Sequence, residues 1–332
     1  MTAPRAQIWP TVHCSLGKML KALRDPSGMG QKWLPIGGLL LLSLLWAVGW
    51  VRADLSPGAT AASGLGPLLS EAVLLGVFAV LAAIGGAIVK KPWPGGAECG
   101  RAVLAGVGLF VVPALLNLFT KERIEDTSRV ALFSLTPLFA VLFEPHFEAD
   151  DAKNALRGGM QAALAAVAGT FLVFPVELPR SYASAFAMLA VALAAAAVAA
   201  ANCMGVNTVQ RRKFWPLTFA SVSAGSASLL LGIAGLIHHD HVRSGAAIDA
   251  WAMLDLLALA LLFWLMQRMS AAKMTTRFLI APLLANLMSL ALLRPHVGIQ
   301  SWIGLALIAT ASGWMLFAPE DAAASVTSLR IH

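Results

Sequence analysis

The sequence has little charge and almost no tyrosine. Only 12% of its 332 residues are charged, whereas soluble domains carry about 25%, and 58% are hydrophobic. The single tyrosine, Tyr182, argues against a recognition site rich in phenol groups. Together with a mean hydropathy of +0.76, this composition argues against a soluble enzyme, a disordered chain and a fibrous repeat. It predicts an all-α polytopic membrane protein, because lipid offers backbone groups no hydrogen-bonding partner and the alternating pattern of a membrane barrel is absent.

Sequence motifs that would indicate an enzymatic activity are also missing. The chain has no GxxxxGK[ST] phosphate loop, no HExxH run and no GxSxG turn, which argues against ATP-driven pumping, metalloprotease activity and serine hydrolase activity. Its cysteines, Cys14, Cys99 and Cys203, are far apart and form neither a metal motif nor a disulfide framework. We therefore expect no catalytic residues, no cofactor and no resident metal, and a protein that is not an enzyme.

Apolar runs bounded by charged residues or by Pro and Gly predict ten transmembrane helices. A helix needs about 20 residues to cross the hydrocarbon core, so the chain has no room for a large soluble domain. The runs lie at 35–51, 69–89, 102–119, 129–144, 157–175, 184–202, 215–237, 251–267, 278–293 and 299–317. They leave a short tail at 319–332 and a basic segment at 1–34, which is either an amphipathic surface helix or a solvated tail.

Lys and Arg are distributed unevenly between alternate loops. With the N-terminus placed inside, the inner segments hold 17 of the 24 Lys and Arg and the outer segments hold 7. Cytoplasmic loops carry the excess of Lys and Arg in membrane proteins. We therefore expect a multi-pass protein of the cell (inner) membrane with both termini cytoplasmic, and we attribute the net charge of +7 to its loops and not to nucleic-acid binding.

The two halves of the chain share a pattern. Thr-Ser-Arg at 127–129 precedes Pro137, and Thr-Thr-Arg at 275–277 precedes Pro282. Each half then closes with a run rich in small residues. Five spans per half would enter the membrane in opposite senses, which is an inverted repeat with a substrate site near the midplane. We predict one five-helix repeat at 35–175 and the other at 184–318.

Four stretches follow the order of motifs in a known family. They are Leu45-Trp46-Ala47-Val48-Gly49-Trp50, Ser134-Leu135-Thr136-Pro137-Leu138-Phe139, Ala281-Pro282-Leu283-Leu284-Ala285, and Trp302-Ile303-Gly304-Leu305-Ala306-Leu307-Ile308 with Gly313. Over residues 35–318 the chain resembles the EamA-like, ten-helix type of the drug/metabolite transporter (DMT) superfamily. That family often has Glu after its fourth and ninth helices. Here Glu148 stands near the first place and Arg294 at the second.

The resemblance implies a secondary transporter, an exporter of a small organic metabolite such as an amino acid. Alternating access would pass through a central cavity lined mainly by the first, third, fourth, sixth, eighth and ninth helices. Proton coupling through Asp255 and facilitated exchange both stay open, as do a monomer and a homodimer. The alternatives are a flippase for a lipid-linked precursor in the same fold and a membrane-bound enzyme, whose metal would need the acidic residues at 122–126 or 148–151.

Polar and aromatic residues inside the spans are the candidates for substrate binding, because charge at membrane depth rarely persists without a partner or a wet cavity. Arg129 is predicted to pair with Asp255 or Glu71, as a gate or as a site for a zwitterion. The alternative is that these are interfacial charges reaching toward headgroups, and Trp50 and Trp251 are alternatively interfacial anchors. The candidate binding residues are Trp46, Trp50, Asn117, Arg129, Trp251, Asp255 and Asn286.

A cluster of metal-binding residue types, His238-His239-Asp240-His241, follows the seventh run. Imidazole and carboxylate groups suit zinc or nickel. Four adjacent residues cannot all reach one ion without a shaped loop, and no distant ligand is evident. A solvated loop or a pH-sensitive loop, since His titrates near about pH 6.5, accounts for the cluster as well.

Overall fold

The structure, a computed structural model, describes residues 26–55, 65–90, 93, 95–147, 153–211, 215–240, 250–293 and 298–317. Nearly all of these residues are helical, and two of the helices are broken. We number the helices in chain order. They are α1 Pro26–Leu55, α2 Pro67–Ile88, α3 Gly96–Thr120, α4 Asp126–Phe133 with Thr136–Phe147, α5 Lys153–Val173, α6 Tyr182–Arg211, α7 Pro216–Ile237, α8 Ala250–Met266, α9 Ala271–Thr275 with Arg277–Leu293, and α10 Ile299–Phe317.

Eight of these helices are long and apolar enough to cross a membrane. Helices α5 and α8 contain shorter apolar stretches, Gly159–Val173 and Trp251–Met266. Large apolar side chains lie on the outside of the bundle, for example Leu193 at 60% exposed and Leu229 at 66%. Soluble proteins rarely expose so many large apolar side chains to water. The predicted class, an all-α polytopic membrane protein, is confirmed at this level.

Helix α6 extends well beyond its predicted end at residue 202. Polar side chains in its last third bond to carbonyls of neighbouring helices: Asn207 Nδ2 to Phe147 O, and Gln210 Nε2 to Met266 O and Met269 O, both at 2.9 Å. Tertiary hydrogen bonds of this kind satisfy polar groups that the apolar run alone does not include. Helix α6 therefore continues to Arg211.

Helices α4 and α9 are each interrupted near one end. In α4 the break follows Phe133, and the Thr136 hydroxyl donates to Phe133 O at 2.6 Å. Pro137 has no N–H for that carbonyl, so the hydroxyl replaces the missing donor. In α9 the break is at Thr276, whose hydroxyl donates to Lys273 O at 2.6 Å. Hydroxyls thus satisfy the backbone at both breaks.

Two antiparallel helix pairs form the closest contacts in the bundle, α2 with α7 and α5 with α10. A Cβ added to Gly304 would lie 2.7 Å from Gly169 O, and one added to Gly169 would lie 2.9 Å from Gly304 O. No real Cβ atom approaches a carbonyl oxygen so closely, so the two backbones cross where neither residue has a side chain. Small residues at such crossings are the usual way that membrane helices pack.

The other helices surround these pairs. Helix α1 packs against α8 and α9, and α6 packs against α3 and α4. Helices α4 and α9 also contact each other through the second part of α4 and the first part of α9. As a result α1, α4, α6 and α9 approach one another inside the bundle, where the polar groups described next are located.

Candidate functional site

Arg277 is the largest side chain that is fully buried in the described chain, at 1% exposed. It is the first residue of the second part of α9, directly after the break at Thr276. The predicted ninth run begins at 278 and leaves Arg277 just before it, whereas the structure begins the helix earlier. Helix α9 begins at Ala271, so Arg277 lies within the helix and not before it.

The depth of Arg277 follows from the hydrogen bond between Gln210 and Met269, which joins the ends of α6 and α8. Asn202 lies eight residues before Gln210 along α6, and Arg277 lies eight residues after Met269. At a rise of about 1.5 Å per residue along α6, Asn202 lies about 12 Å from that bond, and Arg277 contacts Asn202. Arg277 therefore lies about 12 Å inside the end of α6, within the bundle.

Two hydrogen bonds and two aromatic rings surround the Arg277 guanidinium. Its Nη2 donates to Asn202 Oδ1 and its Nη1 to Met274 O, both at 3.1 Å. Its central carbon lies 4.7 Å from the ring centroid of Phe278 and 5.3 Å from that of Trp46. Both distances fall within the range of a cation–π interaction. Helices α1, α6 and α9 therefore all contribute to holding this cation.

These partners leave the guanidinium incompletely satisfied. It has five N–H hydrogens, and its buried Nε has no hydrogen-bond partner. Within the described residues, no carboxylate forms an ion pair with Arg277. A buried unpaired donor costs about 1–3 kcal/mol and more when charged, and an arginine at the centre of a membrane helix costs about 2.5–3.5 kcal/mol by insertion scales. The site has donors and a positive charge for an anionic acceptor.

Two aromatic rings contact the cation, and a third stacks on one of them. The centroids of Trp46 and Phe278 are 5.7 Å apart, and those of Phe133 and Phe278 are 6.4 Å apart. All three side chains are half-buried, so each ring keeps some accessible surface. We name Arg277, Asn202, Trp46, Phe278 and Phe133 the arginine cluster. It combines one cation, one amide and an apolar wall.

Of the predicted binding residues, Trp46 is the one that belongs to the arginine cluster. Trp50 follows it by one turn of α1 and is 41% exposed. Trp251 and Asp255 are four residues apart on α8, and both are exposed on the same side of that helix. Asn286 is half-buried and donates to Pro282 O at 3.1 Å within its own helix.

Asn117 and Arg129 contact each other near the other end of the bundle. An Arg129 Nη atom donates to Asn117 Oδ1, and the other donates to Asp126. The predicted pairing of Arg129 with Asp255 or Glu71 is wrong. Asp126 lies one turn earlier on the same helix, so its carboxylate reaches Arg129 without help from the rest of the fold.

The histidine-rich cluster contains a carboxylate that caps a distant helix. Asp240 is 3% exposed at its side chain, and its Oδ2 accepts from the backbone N–H groups of Leu68 at 2.9 Å and Leu69 at 3.1 Å. His238 Nδ1 lies 3.2 Å from the other carboxylate oxygen. Asp240 therefore satisfies the N-terminus of α2. In the part of the chain that the structure describes, no three metal-binding side chains come together, and His241 lies outside that part.

The acidic clusters considered for an enzyme occupy different places. Glu122, Glu125 and Asp126 line a surface depression that also contains Lys121 and Arg180, which is a solvated mixture of charges. Residues 148–151 lie outside the described residues, as do Arg294, most of the basic segment 1–34 and all of the tail at 319–332.

Sequence reasoning did not identify Arg277 or Asn202 as site residues. The available signal was the run from 271 to 280, which contains neither Pro nor Gly before Arg277 and so gives a helix no reason to begin there. Asn202 gave a weaker signal as an amide that ends an alanine-rich run. Their contact joins residues 75 positions apart, and no local pattern predicts such a contact.

Comparison with known proteins concerns the fold of the chain and not its function. No protein-family model matches the chain, and no curated protein matches it. Among solved structures, one described only as the crystal structure of a protein is similar with a TM-score of 0.63 and 15% sequence identity. The match covers 85% of this chain and 99% of that one. At this identity the likeness concerns the fold alone, a helical bundle that the other chain shares over nearly its whole length.

Proposed function

We propose that this chain is a secondary transporter that exports a small organic metabolite by alternating access. The observation that carries the proposal is the arginine cluster, a set of polar and aromatic side chains inside the bundle to which α1, α4, α6 and α9 contribute. Buried ionisable groups within membrane helices usually mark substrate or ion pathways. The resemblance to EamA-like drug/metabolite transporters supports the same function.

The proposed architecture is ten spans in two inverted five-helix repeats, with α5 and α8 as the fifth and eighth spans. Helices α2 and α7 support it, because each has 22 residues and begins with proline. The second residue after each helix is a non-glycine residue with positive φ, Lys90 at 52° and His239 at 56°. Two helices with the same beginning, length and ending are typical of an internal repeat.

Reciprocal contacts between α2 and α7 also support the repeat. A Cβ added to Gly86, near the end of α2, would lie 2.9 Å from Thr218 near the start of α7. One added to Gly235, at the equivalent place in α7, would lie 2.9 Å from Leu69, the equivalent of Thr218 in α2. The packing of α1 on α9 corresponds in the same way to the packing of α6 on α4. A pseudo-twofold axis in the membrane plane would relate these pairs.

The broken helices give the proposed transporter places to bend. Interruptions in membrane helices are tolerated where other groups satisfy the backbone, as the hydroxyls of Thr136 and Thr276 do. In transporters built from inverted repeats, such discontinuous helices line the substrate site near the midplane. Here the break in α9 directly precedes Arg277, and the break in α4 directly follows Phe133, so bending at either break would move a member of the arginine cluster.

We place the transporter in the inner membrane with both termini cytoplasmic, as the distribution of Lys and Arg favours. Its partners in this proposal are the bilayer, the substrate and, if transport is coupled, protons. Asp255 is the candidate for the coupling group, since it lies exposed within α8. Facilitated exchange would need no such group.

A flux assay tests the function. The protein is reconstituted in liposomes that are loaded with a metabolite mixture. Release of each metabolite from the liposomes is measured by mass spectrometry. We expect release of one chemical class that Arg277→Gln abolishes. Arg180→Gln, which removes an exposed arginine near the bundle end, is the control and should not change the rate. Absence of flux for every metabolite, together with flipping of lipid-linked precursors, would instead establish the flippase.

A further inference from the structure

We propose that the substrate is a small organic monocarboxylate with an apolar or aromatic body, whose carboxylate binds Arg277. This inference rests on the proposed transport function and names the substrate class for the same site. It follows from the donors that the guanidinium retains, from the charge that it carries and from the aromatic residues beside it.

The remaining donors match a carboxylate. The structure engages one hydrogen on Nη1 and one on Nη2, which leaves three N–H hydrogens, including the buried one on Nε. An arginine presents parallel N–H groups that bind both oxygens of a carboxylate at once. The buried Nε–H is therefore a donor without an acceptor among the described groups, and we propose that a substrate carboxylate becomes that acceptor when the surrounding helices open.

The positive charge of Arg277 favours a substrate that carries a single negative charge. In the described chain, the groups in contact with Arg277 are an amide, a backbone carbonyl and two aromatic rings. None of them is an anion, so no described group in contact with Arg277 neutralises the cation. One carboxylate would neutralise it, whereas a dianion would bring a second charge into a region of low dielectric at a high desolvation cost.

The aromatic members of the arginine cluster favour a substrate whose remaining part is apolar or aromatic. Trp46 and Phe278 are half-buried rings in contact with the cation, and Phe133, also half-buried, stacks on Phe278. Such rings stack on apolar or aromatic groups and offer few hydrogen bonds to a hydrophilic body. A sugar acid or inorganic phosphate would leave its hydroxyl or oxygen atoms without partners against this wall.

A structural role for Arg277 makes a different prediction. If the arginine serves only to tie α6 to α9 through Asn202, then strengthening that tie leaves ligand binding unchanged. Asn202→Asp tests this directly, because it places a carboxylate of nearly the same shape next to the guanidinium. The internal ion pair would occupy the site that we assign to the substrate.

The experiment measures binding to the full chain in detergent by thermal shift and by tryptophan fluorescence. The probes are 3-phenylpropionate and two matched compounds, 3-phenylpropanamide and 3-phenylpropylamine. We expect the carboxylate to bind roughly 10–100-fold more tightly than the amide, the range that a charge-assisted hydrogen bond supplies. Asn202→Asp should keep or raise the Tm of the free protein and weaken carboxylate binding by a similar factor, and Arg277→Lys should bind with intermediate affinity.

Two results would overturn the carboxylate assignment: equal binding of all three probes, or unchanged carboxylate binding in Asn202→Asp. Liposome flux separates this inference from the proposed function. Flux of a neutral or cationic metabolite that persists in Arg277→Lys and Asn202→Asp would remove the carboxylate assignment and leave the transporter. Carboxylate binding that depends on Arg277 without any flux would keep the site and remove the transporter.

Discussion

Two arginines in similar tripeptides have different surroundings in this protein. Arg129 follows Thr-Ser and pairs with Asp126 on its own helix and Asn117 on the preceding one. Arg277 follows Thr-Thr and is buried with an amide, a carbonyl and two rings, but with no carboxylate among the described residues. The difference is one of partners and not of local sequence. At the scale of the residue, function therefore depends on which helices come together around a side chain.

The carboxylate of Asp240 provides a test at the same scale. Replacing Asp240 by Ala removes the acceptor for two backbone N–H groups at the start of α2, so we expect a loss of about 0.5–2 kcal/mol in the free energy of unfolding. Glu177→Ala, which breaks an ion pair at the protein surface, is the control and should cost less. Hydrogen exchange should show faster exchange confined to the first turn of α2, and unchanged exchange there would contradict the cap.

The sequence predicted the residue types of the site better than their partners. Trp46 was predicted as a binding residue and lies against Arg277. Asn117 and Arg129 were predicted as candidates, but their mutual contact was not. Asp240 was considered as a metal ligand, and it binds backbone N–H groups of a helix that begins 173 residues earlier in the chain. Such pairings depend on how the helices pack, which hydrophobic patterns do not specify.

Helix crossings give a prediction at the scale of the element. Gly304→Ala should destabilise the protein by about 1–3 kcal/mol, because the added methyl group would meet the backbone of α5 and force the helices apart. Gly313→Ala in the same helix is the control, since nothing lies within 4 Å of its added Cβ. Thermal unfolding in detergent compares the two variants. Equal Tm values would show that α5 and α10 do not cross at Gly169 and Gly304.

The ends of α2 and α7 give a second prediction at this scale. Left-handed backbone costs a non-glycine residue about 1–2 kcal/mol, and glycine relieves that cost while adding unfolded-state entropy of about 0.4–1 kcal/mol. Lys90→Gly and His239→Gly should therefore each be neutral or slightly stabilising. Ala87→Gly, inside the last turn of α2, should destabilise by about 1 kcal/mol. A large loss in only one of the two end variants would argue against equivalent helices.

Most elements could be predicted from apolar runs, with errors where polar groups decide the boundary. The bounds of α2 and α7 differ from the predicted runs by two residues at most. Helix α6 is much longer than predicted because Asn207 and Gln210 bond to other helices. The break in α9 lies six residues before Pro282, where the hydroxyl of Thr276 bonds to the backbone. Side chains that bond across elements are invisible to a hydropathy window.

The topology of the whole molecule is tested by labelling single cysteines from outside intact cells, in a background that lacks the native cysteines. Glu122→Cys and Ser181→Cys should react with an impermeant maleimide, because these positions lie in loops that we assign to the outer side. Lys90→Cys and restored Cys99 should react only after the membrane is permeabilised. Any arrangement with the termini outside reverses this pattern. An even number of spans between Cys99 and Glu122, or an odd number between Glu122 and Ser181, disrupts it.

At the scale of the molecule, composition was sufficient for the class and insufficient for the arrangement. Low charge and long apolar runs predict a helical membrane protein because lipid permits little else. The antiparallel pairing of α2 with α7 and of α5 with α10 depends on glycine contacts such as Gly86 against Thr218. Six of the glycines that the structure describes have nothing within 4 Å of an added Cβ, so glycine alone does not reveal which helices cross.

The contact between Arg277 and Asn202 also has a consequence for how the chain is made. A ribosome adds about 5–20 residues per second, so Asn202 is synthesised about 4–15 s before Arg277, which lies 75 residues later. The helix with the amide is thus available when the helix with the cation leaves the translocation channel. An arginine that is costly to insert alone enters next to its earlier partner, and the order of synthesis itself favours correct assembly of the bundle.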